Sequence, residues 1–171
     1  MRIGCTLNVL CARLSSARTC EESADRSDVN NNSADRDRRL RIGWLNVRSL
    51  AKKTAAVREI IVSNSLDVLA LTETWHQHSS GICLRDAAPS DFAVTDAVRE
   101  SQPGYGGIAV LYSELLRCDK VDLPLTSTFE ALCTRFKVGC SAWLLLTIYR
   151  PGSSHLTSTF FHELATVLER L

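Results

Sequence analysis

The chain has 171 residues, a formal net charge of +1, 45% apolar residues and 23% charged residues. This is ordinary globular composition, and it excludes a protein that holds nucleic acid mainly by bulk positive charge. No run approaches the roughly 20 apolar residues that cross a bilayer, so no membrane-spanning segment is expected.

The first 20 residues carry Arg2, Arg13 and Arg18 and no acidic side chain. Transit peptides share that composition, as does untranslated sequence read as protein; Asn8 interrupts the short apolar run a secretory signal would need. From Glu21 to Arg39 the chain reads EESADRSDVNNNSADRDRR, with Val29 the one apolar residue larger than alanine among charges and small polar groups. Such a stretch buries too little apolar surface to offset its ordering entropy. Residues 1–39 are therefore expected to be a disordered polar leader, and 40–171 the folded domain.

Leu40 to Asn46 alternates as a strand does. Ser49 is placed to cap a helix with Leu50, Val57, Ile60 and Ile61 at helical spacing, ending near Asn64. Asp67 to Leu71 is a short continuous apolar run, the pattern of a buried parallel strand. Strand, helix and strand within about 30 residues make a βαβ unit. Further strands are expected at 92–95, 107–112, 129–138 and 142–149, with turns at Gln102-Pro103-Gly104 and Val138-Gly139-Cys140. Leu156, Phe160, Leu164, Val167, Leu168 and Leu171 mark the apolar face of a final helix. That stripe reaches the last residue without a stop signal, so the fold is expected to continue beyond it.

Seven cysteines, odd in number and without a Cys-x-x-Cys pair, support neither a disulfide framework nor a zinc site. They suggest a reducing, intracellular setting. His76, His78 and Cys83 have no second ligand cluster, and two histidines two residues apart in a polar loop are expected to be exposed. Gly104-Tyr105-Gly106-Gly107 lacks the Lys-Ser/Thr of a phosphate loop and precedes a strand, so it reads as a turn. Arg36, Arg38, Arg39, Arg41, Arg48, Lys52 and Lys53 form a basic neighbourhood that suits DNA phosphates and equally suits a solvated face.

Three strand ends hold chemistry. Asn46 closes the first strand, where open α/β sheets place ligands. Glu73 follows the second, where a carboxylate can bind magnesium, which takes one or two carboxylates and keeps its water. The βαβ geometry sets the two side by side. Tyr149 and Arg150 end a later strand and can hydrogen-bond a phosphate. Each has a plainer reading: Asn46 and Ser49 as turn and cap, Glu73 as an exposed side chain, and Arg150-Pro151-Gly152 as a strand exit.

In order along the chain, LRIGWLNVRSL, LDVLALTETW, GYGGIAVLYS, FEALCTRF and WLLLTIYRPG resemble the endonuclease/exonuclease/phosphatase superfamily. The likeness is to the version that non-LTR retrotransposons carry ahead of their reverse transcriptase. It implies an α/β fold, here an incomplete four-layer α/β sandwich, with DNA as partner, Mg2+ as cofactor and metal-assisted attack of water on a phosphodiester. It implies Asn46 and Tyr149 as catalytic residues and Glu73 as the metal ligand. Arg48, where related apurinic endonucleases carry an Asp, and Arg150 are the implied substrate-binding residues. The superfamily's later Gly-Asp-x-Asn and Ser-Asp-His elements do not occur before Leu171. A weakened metal site and activity near background are therefore expected, with a non-catalytic binding or interaction module as the alternative. A retained retrotransposon function would place the protein in the nucleus.

Overall fold

The computed structural model describes residues 9–14, 40–79, 81–138, 141–152 and 155–171. Val68–Thr72 (VLALT) is buried at every position and sits inside a four-stranded sheet. That sheet contains β2 (Ile42–Asn46), β3 (Val68–Thr72), β4 (Phe92–Ala97) and β5 (Ile108–Ser113), in the order β2-β3-β5-β4. The β2–β3 pair is parallel, joined by α1 (Thr54–Ser63), as the βαβ pattern predicts. A second sheet, wholly antiparallel, has the order β1-β8-β7-β6, from β1 (Val9–Leu14), β6 (Arg117–Val121), β7 (Glu130–Val138) and β8 (Ser141–Tyr149). Two further helices, α2 (Ile82–Ala87) and α3 (Ser158–Arg170), complete the described elements.

Period-two alternation sorts the strand side chains into three cores. Val68, Ala70, Ile108 and Val110 meet Leu132, Phe136, Leu145 and Tyr149 between the sheets. Leu69, Leu71, Ala109 and Leu111 face Val57 and Ile61 of α1 and Leu84 and Ala87 of α2. Cys133, Leu144, Leu146 and Ile148 pack on Phe160 and Val167 of α3. The packing order is helices, sheet, sheet, helix. Burying one such Leu or Ile contributes roughly 1.5–3 kcal/mol, so β3, buried on both faces, anchors the first sheet.

The structure departs from the sequence expectations at several places. Strand β1 lies within the stretch read as leader; the rest of 1–39, like the expected turn at Gly139-Cys140, is outside the described residues. Ser49 does not cap α1: it stands at φ +71°, and the helix begins at Thr54 with no side-chain cap. The backbone N–H groups of Val47, Ser49 and Leu50 donate to Thr72, Glu73 and Thr74 instead, which holds this segment to β3's extension. Phe160 and Val167 of α3 are buried, whereas Leu168 of the helix and Leu156, which precedes it, are exposed. Cys83, Cys118 and Cys133 are free thiols, and burial pushes those of Cys118 and Cys133 up to about 11. Both act as small apolar groups. No helix among the described residues is long and apolar enough to cross a membrane.

One carboxylate fastens α3 to the second sheet. Glu163 accepts the backbone N–H and hydroxyl of both Ser127 and Thr128, at 2.6–3.0 Å. Burial pushes its carboxyl up, but these bonds more than offset that and hold it at about 2, against an ordinary 4.5. A lowered carboxylate stabilises the fold fully above its unfolded value and loses that contribution as pH falls through the folded one. Glu163→Gln is expected to lower Tm at pH 7 by about 2–4 °C. The difference from wild type should narrow between about pH 4.5 and pH 2, as read by circular-dichroism melts.

Candidate active site

In the parallel pair, Asn46 stands opposite Thr72, so the next residue of the second strand, Glu73, arrives beside the amide. Asn46 Nδ2 donates to Glu73 Oε1 at 2.7 Å. Beyond the strands the two chains stay bonded: Val47 N to Thr72 O at 2.9 Å, Ser49 N to Glu73 O at 2.8 Å and Leu50 N to Thr74 O at 3.1 Å. Arg48, Ser49, Glu73 and Trp75 all have left-handed φ, +45°, +71°, +56° and +57°. Such backbone costs on the order of 1–3 kcal/mol per residue, and it gathers at functional sites.

Tyr149 ends β8 on the face between the sheets, so the second sheet also supplies the site. Burial, then a hydrogen bond to the Glu73 carboxylate and that group's charge, push its hydroxyl up to about 12, against a smaller pull from Arg99. At neutral pH Tyr149 is therefore a hydrogen-bond donor.

Arg99 lies with its guanidinium 5.8 Å from the centre of the Tyr149 ring and donates Nε–H to Glu130 Oε1 at 2.7 Å. Glu130, opposite Tyr149 in the β7–β8 ladder, takes the Gly107 N–H on its other oxygen at 2.6 Å. Gly107 has φ +80°, and a Cβ there would fall 2.8 Å from Thr74 Oγ1 and 2.9 Å from His76 Nδ1. A glycine is required at this position both by backbone conformation and by space.

His76 is buried, 7% exposed, which corrects the expectation of an exposed loop histidine; His78 is exposed. Its Nδ1 is 2.6 Å from Thr74 Oγ1 and its Nε2 2.9 Å from Asp96 Oδ2. The neutral tautomer that serves both contacts donates to Asp96 and accepts from Thr74. Asp96, buried at the end of β4, draws the ring inward. Cys83 packs in the helix-side core instead. No group of three or more His, Cys, Asp or Glu placed to hold a metal occurs among the described residues.

The model of the Endonuclease/Exonuclease/phosphatase family matches residues 43–160, more than half of the chain. The chain belongs to that family. No curated protein gives a significant match. Among solved structures, the AP endonuclease LMAP from Leishmania major is similar at 19% identity and a TM-score of 0.44, over 57% of this chain and 35% of that one. An AP endonuclease from Archaeoglobus fulgidus is similar at 19% identity and a TM-score of 0.47, over 77% of this chain and 49% of that one. The chain thus spans about a third to a half of the length of these two structures.

Within this family member the structure brings Asn46, Glu73 and Tyr149 together. Arg48 is exposed on the adjoining loop. Arg150 is elsewhere: its guanidinium sits 5.8 Å from the Phe160 ring of α3, on the opposite face of β8 from Tyr149. Arg99, Glu130 and the His76–Asp96 pair escaped the sequence reading. Glu130 alone had a signal, as an acidic residue opening an apolar strand.

The donor set suits a hard cation. Asn46 Oδ1 is buried and has no hydrogen-bond partner among the described residues, a state that costs about 1–3 kcal/mol for an amide oxygen left unsatisfied. Together with the Glu73 carboxylate it offers oxygen ligands of the kind magnesium takes while keeping several waters. Gly107→Ala is expected to destabilise the fold by about 2 kcal/mol or more, through left-handed strain and the clash with Thr74 and His76. Urea denaturation reads the loss.

Proposed function

We propose that this chain forms the metal- and phosphate-holding part of a magnesium-dependent DNA phosphodiesterase site, of the kind non-LTR retrotransposons carry. The observation that carries the reading is the Asn46–Glu73 bond of 2.7 Å beside an unpartnered, buried Asn46 Oδ1. The motif order along the chain supports the retrotransposon version, and family membership supports phosphodiester chemistry.

Glu73 and Asn46 Oδ1 would hold the ion, which when bound supplies positive charge against a phosphoryl oxygen. Tyr149, kept protonated, donates a hydrogen bond within the site, to Glu73 or to a phosphate oxygen. Arg99 places its charge against the Tyr149 ring and is itself oriented by Glu130. Exposed Arg48 adds phosphate attraction at the rim.

Among the described residues, the side chains that hydrogen-bond Glu73 are an amide and a phenol, neither of them a base at neutral pH. General-base help is worth about 10²- to 10⁴-fold. The chain is therefore expected to bind metal and phosphodiester and to cleave at background rate. The same feature favours a second reading, a non-catalytic binding module, as does Trp44, 64% exposed on the edge strand β2.

Mn2+ titration followed by electron paramagnetic resonance, run beside supercoiled-plasmid nicking in Mg2+, tests this. Glu73→Gln should weaken Mn2+ binding by at least about tenfold, and wild type should nick no faster than buffer. Unchanged Mn2+ affinity in Glu73→Gln would sink the site assignment. Nicking by wild type that Glu73→Gln abolishes would replace binding by catalysis.

A further inference from the structure

Two exposed aromatic rings adjoin the site, and nothing in the chemistry above uses them. Trp75 is 39% exposed and Tyr105 60% exposed. Their ring centres are 5.7 Å apart with planes tilted by 49°. Both are held by backbone. Trp75 N–H donates to Gly106 O at 2.8 Å, Thr74 N–H to Gly107 O at 3.3 Å, and Tyr105 N–H to Gln102 O at 3.1 Å. Gly104, Gly106 and Gly107, all at positive φ, shape the loop that presents Tyr105.

We infer that Trp75 and Tyr105 form a stacking platform for an unpaired nucleobase of a single-stranded segment next to the metal-binding pair. This rests on the reading that the site handles a DNA phosphodiester, and it names the form of the strand.

Three observations carry it. Trp75 lies two residues beyond Glu73, within about 7 Å along the chain, the distance of one nucleotide step. The platform is also rigidly joined to the site, because the 104–107 loop that meets Trp75 is bonded through Gly107 to Glu130, and Glu130 holds Arg99 over Tyr149. Finally, a bulky side chain at φ +57° is costly, yet this one is kept in that strain and left facing solvent.

The occupant follows from chemistry. Exposed, tilted rings offer π-faces, and base–aromatic stacking is how strands are gripped without sequence readout. In a duplex those base faces are covered by neighbouring pairs, so the ligand is a single strand, a gap or a displaced end. A formal net charge of +1 gives little bulk phosphate attraction, so stacking supplies the larger share of the grip.

The test is fluorescence anisotropy with a fluorescein-labelled single-stranded oligothymidylate, the same backbone carrying abasic spacers, and the matching duplex. All are measured in EDTA at moderate salt. Wild type should bind the oligothymidylate on the order of tenfold tighter than the abasic strand. Trp75→Ala and Tyr105→Ala should each lose a similar factor, while Trp75→Phe keeps most of the affinity. Phe161→Ala, which removes an exposed ring of α3 far along the chain, should change nothing.

Trp75→Gly removes the ring and relieves the left-handed strain, so its Tm should not fall while its binding drops as in Trp75→Ala. That separates loss of the platform from loss of the fold. Glu73→Gln is read for Mn2+ binding alone. If its Mn2+ binding is unaffected while base-dependent affinity stands, the phosphodiesterase reading fails and the platform survives. Equal binding of the thymidylate and abasic strands by wild type, no binding of either, or full affinity in both alanine variants overturns the platform.

Discussion

The site depends on a parallel ladder that does not stop where its strands stop. After Asn46 and Thr72 the two chains leave β geometry, yet three more backbone bonds tie 47–50 to 72–74. Each bond fixes a residue or neighbour that would otherwise relax out of left-handed backbone. The strain at Arg48, Ser49, Glu73 and Trp75 is thus distributed over two segments that hold each other. Because Glu73 cannot turn away, its carboxylate meets the Asn46 amide, and that amide presents an oxygen with no partner among the described residues.

The second sheet fixes the rest. Phe136, Leu132 and Leu145 set the spacing between the sheets by packing on Val68, Ala70, Ile108 and Val110. That spacing carries Tyr149 to Glu73. Glu130 then works in two directions, orienting Arg99 and pinning Gly107. Below the loop, Thr74, His76 and Asp96 form a buried polar chain that leaves no room for a side chain at 107. Packing sets the coarse position, and charge-assisted hydrogen bonds set the fine one.

Elements with a strong apolar pattern were legible in the sequence. VLALT, LLLTIY and the 108–113 run were read correctly to within a residue or two, because burial on one or both faces writes itself into composition. Strand β6, with mostly exposed positions and Arg117, Asp119 and Lys120 along it, gave no such pattern; charged edges protect a sheet from wrong pairing. The short α2 falls below the length at which helical period is readable. Pairing of Asn46 with Glu73 was legible as topology. What topology could not supply was facing: adjacent residues on a strand end point to opposite sides, so Tyr149 and Arg150 part company. The guanidinium near Tyr149 comes from Arg99, in a segment without period. His76 was illegible for a similar reason, since its partner Asp96 comes from β4, 20 residues further on.

The sequence separation of the site's parts has a kinetic meaning. Asn46 and Glu73 are 27 residues apart and belong to one βαβ unit, whereas Tyr149 ends β8, after the β4–β5 and β6–β7 pairings. Closing a short loop is cheap and fast, and contacts between distant parts of a chain form late. The amide–carboxylate pair is therefore expected to assemble first, with the phenol arriving when the sheets dock. A divalent cation that bound those two oxygens at that stage would stabilise the native pairing before the core closes.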